Sequence, residues 1–293
     1  MHAVPTSIAE LVNLLELERL DEDLFRGSHP SSSEMPRVFG GQVAAQALMA
    51  AYASTPARRR VHSLHSYFIL GGDPSIPIIY DVDRIRDGGS FSTRRVSARQ
   101  HGDVIFYMTA SFHKEEDGYE HQNAMPPVPS VAESIPMVEL LKSLNADVAA
   151  HWKREWSALD VRYVGDNRAD DDPTRASVPA VQRVWFRADG DLPDDDPLNA
   201  CILTYITDLS LLGTSLIPHG VLIGSPKLQP ASLDHAVWFH RPVRADEWLL
   251  YDQTSPSATG ARGFATANIY AQDGRLVASV AQEGLIRPIE PKT

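Results

Sequence analysis

Apolar and polar residues alternate with a period of two along much of this chain. In the first half the alternation runs through PIIYDVDRI, FSTRRVSARQ and VIFYMTASF, and in the second half through VQRVWFRAD, EWLLYDQT, GFATANIYAQ and RLVASVAQEGLI. Alternation of this kind is typical of strands with one buried and one solvent-facing side. The pattern therefore predicts two separate meanders of strands.

Two segments have helical character and are apolar nearly all round. In GGQVAAQALMAAY only Gln42 and Gln46 are polar, and PLNACILTYITDLSLL carries a single charged residue, Asp208. A helix that is apolar on every side is enclosed by other structure, so we expect a sheet to wrap around each of the two. Asp196 followed by Pro197 predicts the start of the second helix, with Asp196 as its N-cap.

The two strand-rich regions look like copies of one unit. Each begins with an apolar helix and continues as a meander of strands, the order expected of an internal duplication. At a constant offset of 171 residues the matched identities are Phe68 with Phe239, Tyr80-Asp81 with Tyr251-Asp252, and Gly89 with Gly260. We expect an N-terminal unit at 8–113, a connector with one or two helices at 114–178, and a C-terminal unit at 179–290.

Asp208 is ionisable, yet it lies in the apolar run TYITDLSLL. Counted along the helix, Cys201, Tyr205, Asp208 and Leu212 share one face, so the carboxylate belongs to an apolar stripe. An unpaired carboxylate removed from water costs several kcal/mol or escapes ionisation through a raised pKa. A helix end or an Arg partner is the ordinary explanation, but this helix has no polar face for Asp208. A catalytic role is the alternative.

Two further polar residues interrupt strand faces in the second half. Gln282 ends an otherwise apolar row on the last strand, formed by Leu276, Ala278 and Val280. Strict alternation in ASLDHAVWFH places Ser232 on the same face as Trp238 and His240, opposite to His235. Taken alone, Gln282 or Ser232 is more typical of a hydrogen bond at a strand end than of a catalyst.

Composition narrows the possible partners. The 293 residues are 43% hydrophobic and 22% charged, which is ordinary for a globular protein. Acidic residues outnumber basic ones 38 to 27, so a nucleic-acid partner is not expected, although a local basic pocket for a small phosphorylated ligand is compatible. Cys201 is the only cysteine and the N-terminus lacks a signal-peptide pattern, so we expect a cytoplasmic location. Apolar runs are interrupted before about 20 residues, so no stable membrane insertion is expected.

Several longer motifs resemble the type II acyl-CoA thioesterases, the TesB-like family. They are RVFGGQVAAQAL, VHSLHSYF, RIRDGGSFSTRRV and IFYMTASF in the first half, and DHAVWFHRP, DEWLLYD, ARGF and VASVAQEGLIR in the second. The resemblance runs from FRGSHP to QEGLIR. It implies an α+β double hot dog, in which two fused copies of a central helix are each wrapped by an antiparallel sheet. It also implies an acyl-CoA substrate, no cofactor or metal, and assembly into homo-oligomers.

The resemblance assigns the catalytic roles to Asp208, Ser232 and Gln282. The carboxylate would activate or orient a water molecule, and the hydroxyl and amide would hold that water against the thioester carbonyl, without a covalent nucleophile. Many relatives have Thr at the position of Ser232, so a looser water site and a weaker catalyst are conceivable.

Three residues are expected to contact substrate: Gly41, His62 and Arg94. The glycine pair that includes Gly41 would allow a close approach to backbone N–H donors. The segment ILGGDP lacks an Arg that relatives carry there, so Arg94 or Arg95 would meet the phosphates of coenzyme A. The first helix has no acid, and the offset of 171 places Ser111 opposite Gln282. We therefore expect one active site per chain, in the second half.

Other chemistries do not match the spacing of the residues. His235 and His240 would face opposite ways along a strand, as would His62 and His65, so neither pair forms a metal site. GGSFS lacks the final Gly of a nucleophile elbow, and no phosphate-binding P-loop motif occurs. Two alternatives remain: a hydratase or dehydratase on the same fold, which would require a His near Asp208, and an acyl-CoA-binding protein without catalytic activity.

Overall fold

The computed structural model describes residues 4–29, 33, 35–167 and 180–289. In these residues the helices are α1 Ile8–Leu15, α2 Gly40–Ala53, α3 Met137–Leu144, α4 Ala146–Trp156, α5 Asp196–Thr207 and α6 Leu211–Thr214. The strands of the first half are β1 Leu17–Asp21, β2 Leu24–Gly27, β3 Arg59–Phe68, β4 Ile78–Asp87, β5 Phe91–Gln100 and β6 Asp103–Lys114. Those that follow are β7 Ile135–Pro136, β8 Leu159–Asp166, β9 Ala180–Ala188, β10 Leu228–Ser232, β11 Asp234–Phe239, β12 Leu249–Thr259, β13 Arg262–Ala271 and β14 Leu276–Pro288.

The strands form one continuous antiparallel sheet with a symmetric order. Across it the strands run β1-β2-β4-β5-β6-β3-β11-β14-β13-β12-β9-β8-β7, and β10 also pairs with β14. On either side of the central β3–β11 pair, the strands repeat the same connectivity in mirror order. This is the α+β arrangement expected from the sequence, with α2 belonging to one copy and α5 to the other.

The two enclosed helices pack directly against each other in opposite directions. The start of α2 meets the end of α5, because a Cβ added to Gly41 would lie 2.3 Å from the carbonyl oxygen of Tyr205. Only glycine permits this approach of the two backbones. Residues of both helices and of the inner sheet face are buried in one hydrophobic core.

The helix that carries Asp208 differs from its predicted form at both ends. The side chain of Asp195, rather than that of Asp196, caps the N-terminus by accepting a hydrogen bond from the Leu198 N–H at 3.1 Å. The helix ends at Thr207, and Asp208 is its C-cap rather than an interior residue. The predicted continuation to residue 212 was wrong because the chain turns here and forms the short α6.

The duplication is real, but its register is not constant. His65 pairs with Ala236 across the centre of the sheet, and these two residues are counterparts at the offset of 171. On the neighbouring strands His65 pairs with Thr109 and Ala236 pairs with Ala281, so the offset there is 172. The constant offset therefore fails by one residue on β6 and β14.

This shift changes the predicted counterpart of Gln282. The residue that corresponds to it is the buried Ala110, not Ser111. Ser111 lies on the opposite side of β6, where its hydroxyl contacts the Nε2 atom of His62 at 2.8 Å.

The connector contributes to the sheet as well as supplying helices. Of the predicted segment 114–178, α3 and α4 are the expected helices, and β7 and β8 extend the sheet beyond β9. Residues 168–178 of that segment and its boundary with the C-terminal unit lie outside the described residues. At the N-terminus Ser7 caps α1, and the residues that follow this helix form β1 and β2.

Residues 196–219 have the length and composition of a membrane-spanning helix, and the most apolar 18-residue window within them has a mean hydropathy of 1.5. In the structure 78% of this segment's most apolar window is buried, and the segment is divided between α5, α6 and a 3-10 turn at Ile217–His219. The apolar character of this stretch is therefore explained by its place in the core.

Candidate active site

Asp208, Ser232 and Gln282 form a closed triangle of hydrogen bonds. The hydroxyl of Ser232 donates to Oδ1 of Asp208 at 3.0 Å, and Nε2 of Gln282 donates to the same oxygen at 2.5 Å. Nε2 of Gln282 also donates to the Ser232 hydroxyl at 3.0 Å. Two side chains from later parts of the sequence thus converge on one oxygen of the Asp208 carboxylate.

Ser232 reaches this triangle because the strand that bears it is irregular. Ser232 pairs with Gly284 and Ala236 pairs with Ala281, which leaves one extra residue on the β10–β11 side at Leu233. Such a bulge reverses the alternation of side chains and re-aims them. The strict alternation predicted from the sequence placed Ser232 with Trp238 on the outer face, and the bulge is why that placement was wrong.

The first turn of α2 completes the surroundings of Asp208. The Gly41 N–H donates to the carboxylate, and Oδ2 would lie 2.6 Å from a Cβ added to Gly40. The N-terminus of a helix offers free N–H groups and a partial positive charge to an anion. Gly41 therefore lies at the candidate site, where it contacts the Asp208 carboxylate, and its expected contact with substrate stays a prediction.

The environment of Asp208 raises its pKa to about 6. Burial is the largest cause, and hydrogen bonds from Gln282, Ser232 and the Gly41 N–H act in the opposite direction. The Oε1 atom of Gln282 is buried and accepts no hydrogen bond from the described residues. The site thus combines a carboxylate of raised basicity with an amide oxygen that can accept a further hydrogen bond.

Two buried side chains hold the residue that precedes Asp208. The hydroxyl of Tyr251 donates to the Thr207 carbonyl at 2.8 Å. Nε2 of His235 lies 2.9 Å from the Thr207 hydroxyl, which itself donates to the Thr204 carbonyl at 3.0 Å. Burial lowers the pKa of His235 to about 4, so its imidazole is neutral. The end of α5 is thereby anchored to β11 and β12.

A third buried side chain holds the residues that follow Asp208. Oε1 of Gln253 accepts hydrogen bonds from the hydroxyls of Ser210 at 3.1 Å and Thr214 at 3.3 Å. The turn that carries Asp208 is therefore held on both sides. This support was not predicted from the sequence, where the available signal was the presence of His235 and Gln253 on otherwise apolar strand faces.

Comparison with known proteins decides the family. Residues 29–113 match the family described as acyl-CoA thioesterase N-terminal domain, and residues 170–285 match the family described as acyl-CoA thioesterase. Acyl-coenzyme A thioesterase 8 of Mus musculus is 40% identical, over 94% of this chain and 88% of its own. Acyl-CoA thioesterase 2 of Haemophilus influenzae is 38% identical, over 94% and 96%. The chain belongs to the acyl-CoA thioesterase family.

Solved structures agree with this membership. The acyl-CoA thioesterase II TesB2 of Mycobacterium marinum is 44% identical, with a TM-score of 0.79 over 94% of this chain and 97% of that one. A protein from Alicyclobacillus acidocaldarius described as having a hot dog fold superposes with a TM-score of 0.75 at 21% identity, which shows the fold alone. The predicted double hot dog is confirmed. The protein is a thioester hydrolase, and its substrate class is acyl-CoA.

In the thioesterase, His62 lies away from the triangle formed by Asp208, Ser232 and Gln282. His62 is the bulge residue of β3 and lines a cleft with Asp196 and Ala200, at the start of α5. Asp208 follows the last residue of that helix, which at 12 residues spans about 18 Å. His62 therefore lies too far from Asp208 to contact the reacting carbonyl, and its expected contact with another part of the substrate stays a prediction.

Arg94 is not available to a phosphate group either. Its side chain is fully buried, and its guanidinium donates to the Ser54 carbonyl at 2.8 Å and to both carboxylate oxygens of Asp87 at 2.9 Å. Arg94 pairs across the sheet with Ala110, the counterpart of Gln282. The predicted substrate contact of Arg94 is corrected by this burial, because the residue fills the interior of the first half.

An apolar groove of about 350 Å³ is lined in part by the two residues that follow Asp208 in the chain. Leu209 and Ser210, which follow Asp208, line one end of it. The side chains that extend it come from α3, from the inner face of β8, β9 and β12, and from the loop after α6, and they include Leu140, Leu141, Val184, Phe186, Leu222 and Ile223. A groove of this composition can hold an alkyl chain.

Proposed function

We propose that Asp208 is the general base of a direct hydrolysis of fatty acyl-CoA, and that Ser232 and Gln282 position the attacking water. The observation that carries this proposal is the triangle of hydrogen bonds on one carboxylate oxygen. A base with a pKa of about 6 is ionised at neutral pH and more basic than an ordinary aspartate. Positioned proton transfer of this kind contributes about 10²- to 10⁴-fold to a rate.

In the proposed reaction the water oxygen attacks the thioester carbonyl carbon, and its proton passes to the Asp208 carboxylate. The unpartnered Oε1 of Gln282 is suited to accept the second hydrogen of that water. The tetrahedral intermediate then collapses, the carbon–sulfur bond breaks, and the thiolate of coenzyme A leaves with the proton held by Asp208. Each step uses groups of this chain and water alone.

The apolar groove next to Leu209 supports a fatty acyl substrate. Burial of each methylene of an alkyl chain stabilises the complex by about 0.8 kcal/mol. The groove lies in the second half and in the connector, so the acyl chain would lie under α3 while its carbonyl carbon meets Asp208.

The two competing functions are less well supported. A protein that only binds acyl-CoA has no need for a carboxylate that three donors hold in place at a raised pKa. A hydratase or dehydratase requires a histidine at the reacting carbon. His235 approaches Thr207, but it is fully buried behind α5 and contacts the Thr207 hydroxyl rather than the open side of the site.

The absence of a covalent intermediate is tested by a single turnover in H₂¹⁸O. Direct attack by water places one ¹⁸O in the fatty acid and none in Asp208. If Asp208 attacked the thioester itself, hydrolysis of the resulting anhydride at the aspartyl carbonyl would place ¹⁸O in the peptide that contains Asp208. Mass spectrometry of both products decides between these routes, and an acylated enzyme trapped by rapid acid quench would also contradict the proposal.

The proposal also includes a cytoplasmic, homo-oligomeric enzyme. A relative in Saccharomyces cerevisiae that is 25% identical has a name that describes it as peroxisomal. The outer face of the sheet exposes large side chains on neighbouring strands, among them Tyr67, Tyr107 and Trp238. Such a patch favours self-association, and a mass measured by light scattering that equals a single chain would contradict it.

A further inference from the structure

The duplication places a counterpart of the catalytic site at the other end of the two central helices. There the end of α2, at Tyr52, faces the start of α5, at Asp196 and Pro197. A cleft of about 540 Å³ opens at this position. It is separated from Asp208 by the length of α5, about 18 Å.

The groups that perform the chemistry are missing from this counterpart. Ser54 caps the end of α2 where Asp208 caps the end of α5. Ala110 stands where Gln282 stands in the second half, and the space beside it is filled by the Arg94 side chain. Hydrolysis by the proposed mechanism is therefore excluded at this end.

The cleft has nevertheless kept an excess of positive charge. Its lining contains four basic and two acidic side chains, namely Arg58, Arg59, Arg60, Lys114, Glu115 and Asp196. Arg60 pairs with Asp196 at 2.7 Å, and Lys114 pairs with Glu116 at 2.9 Å. In a protein with a formal charge of -11, a basic cleft is a local departure from the overall field.

Two guanidinium groups in the cleft form no direct ion pair with a carboxylate among the described residues, although Arg59 interacts with Asp87 through the Ser92 hydroxyl that both contact. Arg58 is exposed and makes no hydrogen bond or ion pair within that part of the chain. Arg59 donates to neutral oxygens only, those of the Ser92 hydroxyl and the carbonyls of Gly88 and Gly89. Guanidinium groups match phosphate oxygens in geometry as well as charge.

The backbone at Arg58 is also unusual. Its φ of 65° lies in the left-handed region, which residues other than glycine adopt uncommonly. Strained backbone of this kind clusters at ligand sites. Here it holds a free arginine at the edge of the cleft, directly before the two arginines that begin β3.

We propose that this cleft binds the phosphate-bearing nucleotide end of coenzyme A at a second, non-catalytic site. The ligand class follows from the acyl-CoA activity of the family together with the duplication, and it does not depend on the role proposed for Asp208. Free coenzyme A or the coenzyme A portion of a substrate would occupy the cleft, with its phosphates against Arg58 and Arg59.

The test is calorimetric titration of the full-length protein with free coenzyme A, which is not hydrolysed. We expect two binding events per chain in the wild type. Arg58→Asn removes the charge and keeps a residue that tolerates the left-handed backbone, and Arg59→Gln removes the second charge. Each change is expected to raise the dissociation constant of the second binding event by about tenfold, since a charge-assisted hydrogen bond to phosphate is lost.

Controls separate the possible outcomes. Arg95→Gln makes the same charge change at an exposed arginine outside the cleft, which pairs with Asp83, and should leave both events unchanged. Asp208→Asn should leave the second event unchanged even if the catalytic assignment fails. One event per chain, or no effect of Arg58→Asn and Arg59→Gln, would overturn the proposal. Equal displacement by inorganic pyrophosphate would overturn the coenzyme A assignment, whereas displacement by adenosine 3′,5′-bisphosphate alone would support it.

Discussion

At the scale of single residues, the carboxylate of Asp208 is the group on which the site depends. Burial destabilises its charged form, while Ser232, Gln282 and the Gly41 N–H stabilise it, and the balance leaves the pKa at about 6. Asp208 is recognisable from the sequence because an acid in an apolar helix is exceptional. The geometry around Asp208 is not recognisable from the sequence, because the three groups that donate hydrogen bonds to it lie on α2, β10 and β14.

The pH dependence of turnover follows from this pKa. Because Asp208 accepts a proton only when it is ionised, kcat/KM, which reports the free enzyme, is expected to rise with pH, to be half-maximal near pH 6, and to level off above pH 7. Ser232→Ala removes a donor that lowers the pKa of Asp208, so the midpoint should move to higher pH. Rates of thiol release between pH 4.5 and 8.5 measure both midpoints, and a wild-type profile that is flat across pH 6 would contradict the assignment.

Asp208 should also make the fold less stable at neutral pH. Its pKa is raised on folding, so its contribution to the free energy of unfolding is fully present below about pH 4 and is lost as the pH rises towards 6. Asp208→Asn removes this penalty, and we expect it to stabilise the protein by roughly 1–3 kcal/mol at pH 7.5. Denaturant unfolding measured at pH 4.5 and 7.5 should show a larger difference in the free energy of unfolding between Asp208→Asn and the wild type at pH 7.5.

At the scale of helices and strands, bulges decide which side chains meet. The periodicities predicted the central helices and most strands of the two halves correctly. They could not predict the bulges at His62 and Leu233, because the bulged residues carry no distinctive signal in the sequence, and one extra residue reverses a strand's faces. The end of α5 was overestimated for a similar reason, since its apolar character continues without a break into α6.

The hydrogen bonds that hold the end of α5 should affect the rate of hydrolysis more than the affinity for coenzyme A. Tyr251→Phe deletes the hydroxyl that donates to the Thr207 carbonyl, so the turn bearing Asp208 loses one anchor. We expect kcat to fall about tenfold, the loss of about 1.4 kcal/mol of transition-state stabilisation, with coenzyme A affinity unchanged. Tyr270→Phe removes the hydroxyl of a buried tyrosine on a neighbouring strand and should leave kcat intact. Equal losses in the two variants would indicate a general packing effect.

At the scale of the whole molecule, the two halves share one fold, but at one pair of equivalent positions the large and the small residue have changed strands. In the second half Gln282 stands beside Ala265, and in the first half Arg94 stands beside Ala110. The first half therefore contains the buried Arg94 side chain, paired with the exposed Asp87, where the second half contains the triangle of Asp208, Ser232 and Gln282. The sequence predicted the duplication and the single active site, but the shift of offset between strands hid which residues correspond.

This exchange predicts that Arg94 stabilises the fold rather than contacting substrate. Arg94→Met leaves the buried Ser54 carbonyl without its donors and the exposed Asp87 without its partner, and should lower the free energy of unfolding by about 1–3 kcal/mol. Arg95→Met breaks only the exposed pair with Asp83 and should change it by less than about 1 kcal/mol. If Arg94→Met kept its stability and instead weakened coenzyme A binding, the substrate role first expected of Arg94 would be restored.

The central claim is that Asp208 activates water within the triangle, and the most direct test is the single-turnover hydrolysis rate of Asp208→Asn beside that of the wild type. Saturated acyl-CoAs of increasing length would be used at saturating enzyme, with substrate affinity measured in parallel. We predict a loss of about 100-fold or more in the hydrolysis rate, with affinity preserved and the fold at least as stable. A variant that hydrolyses acyl-CoA within about tenfold of the wild type would contradict the assignment.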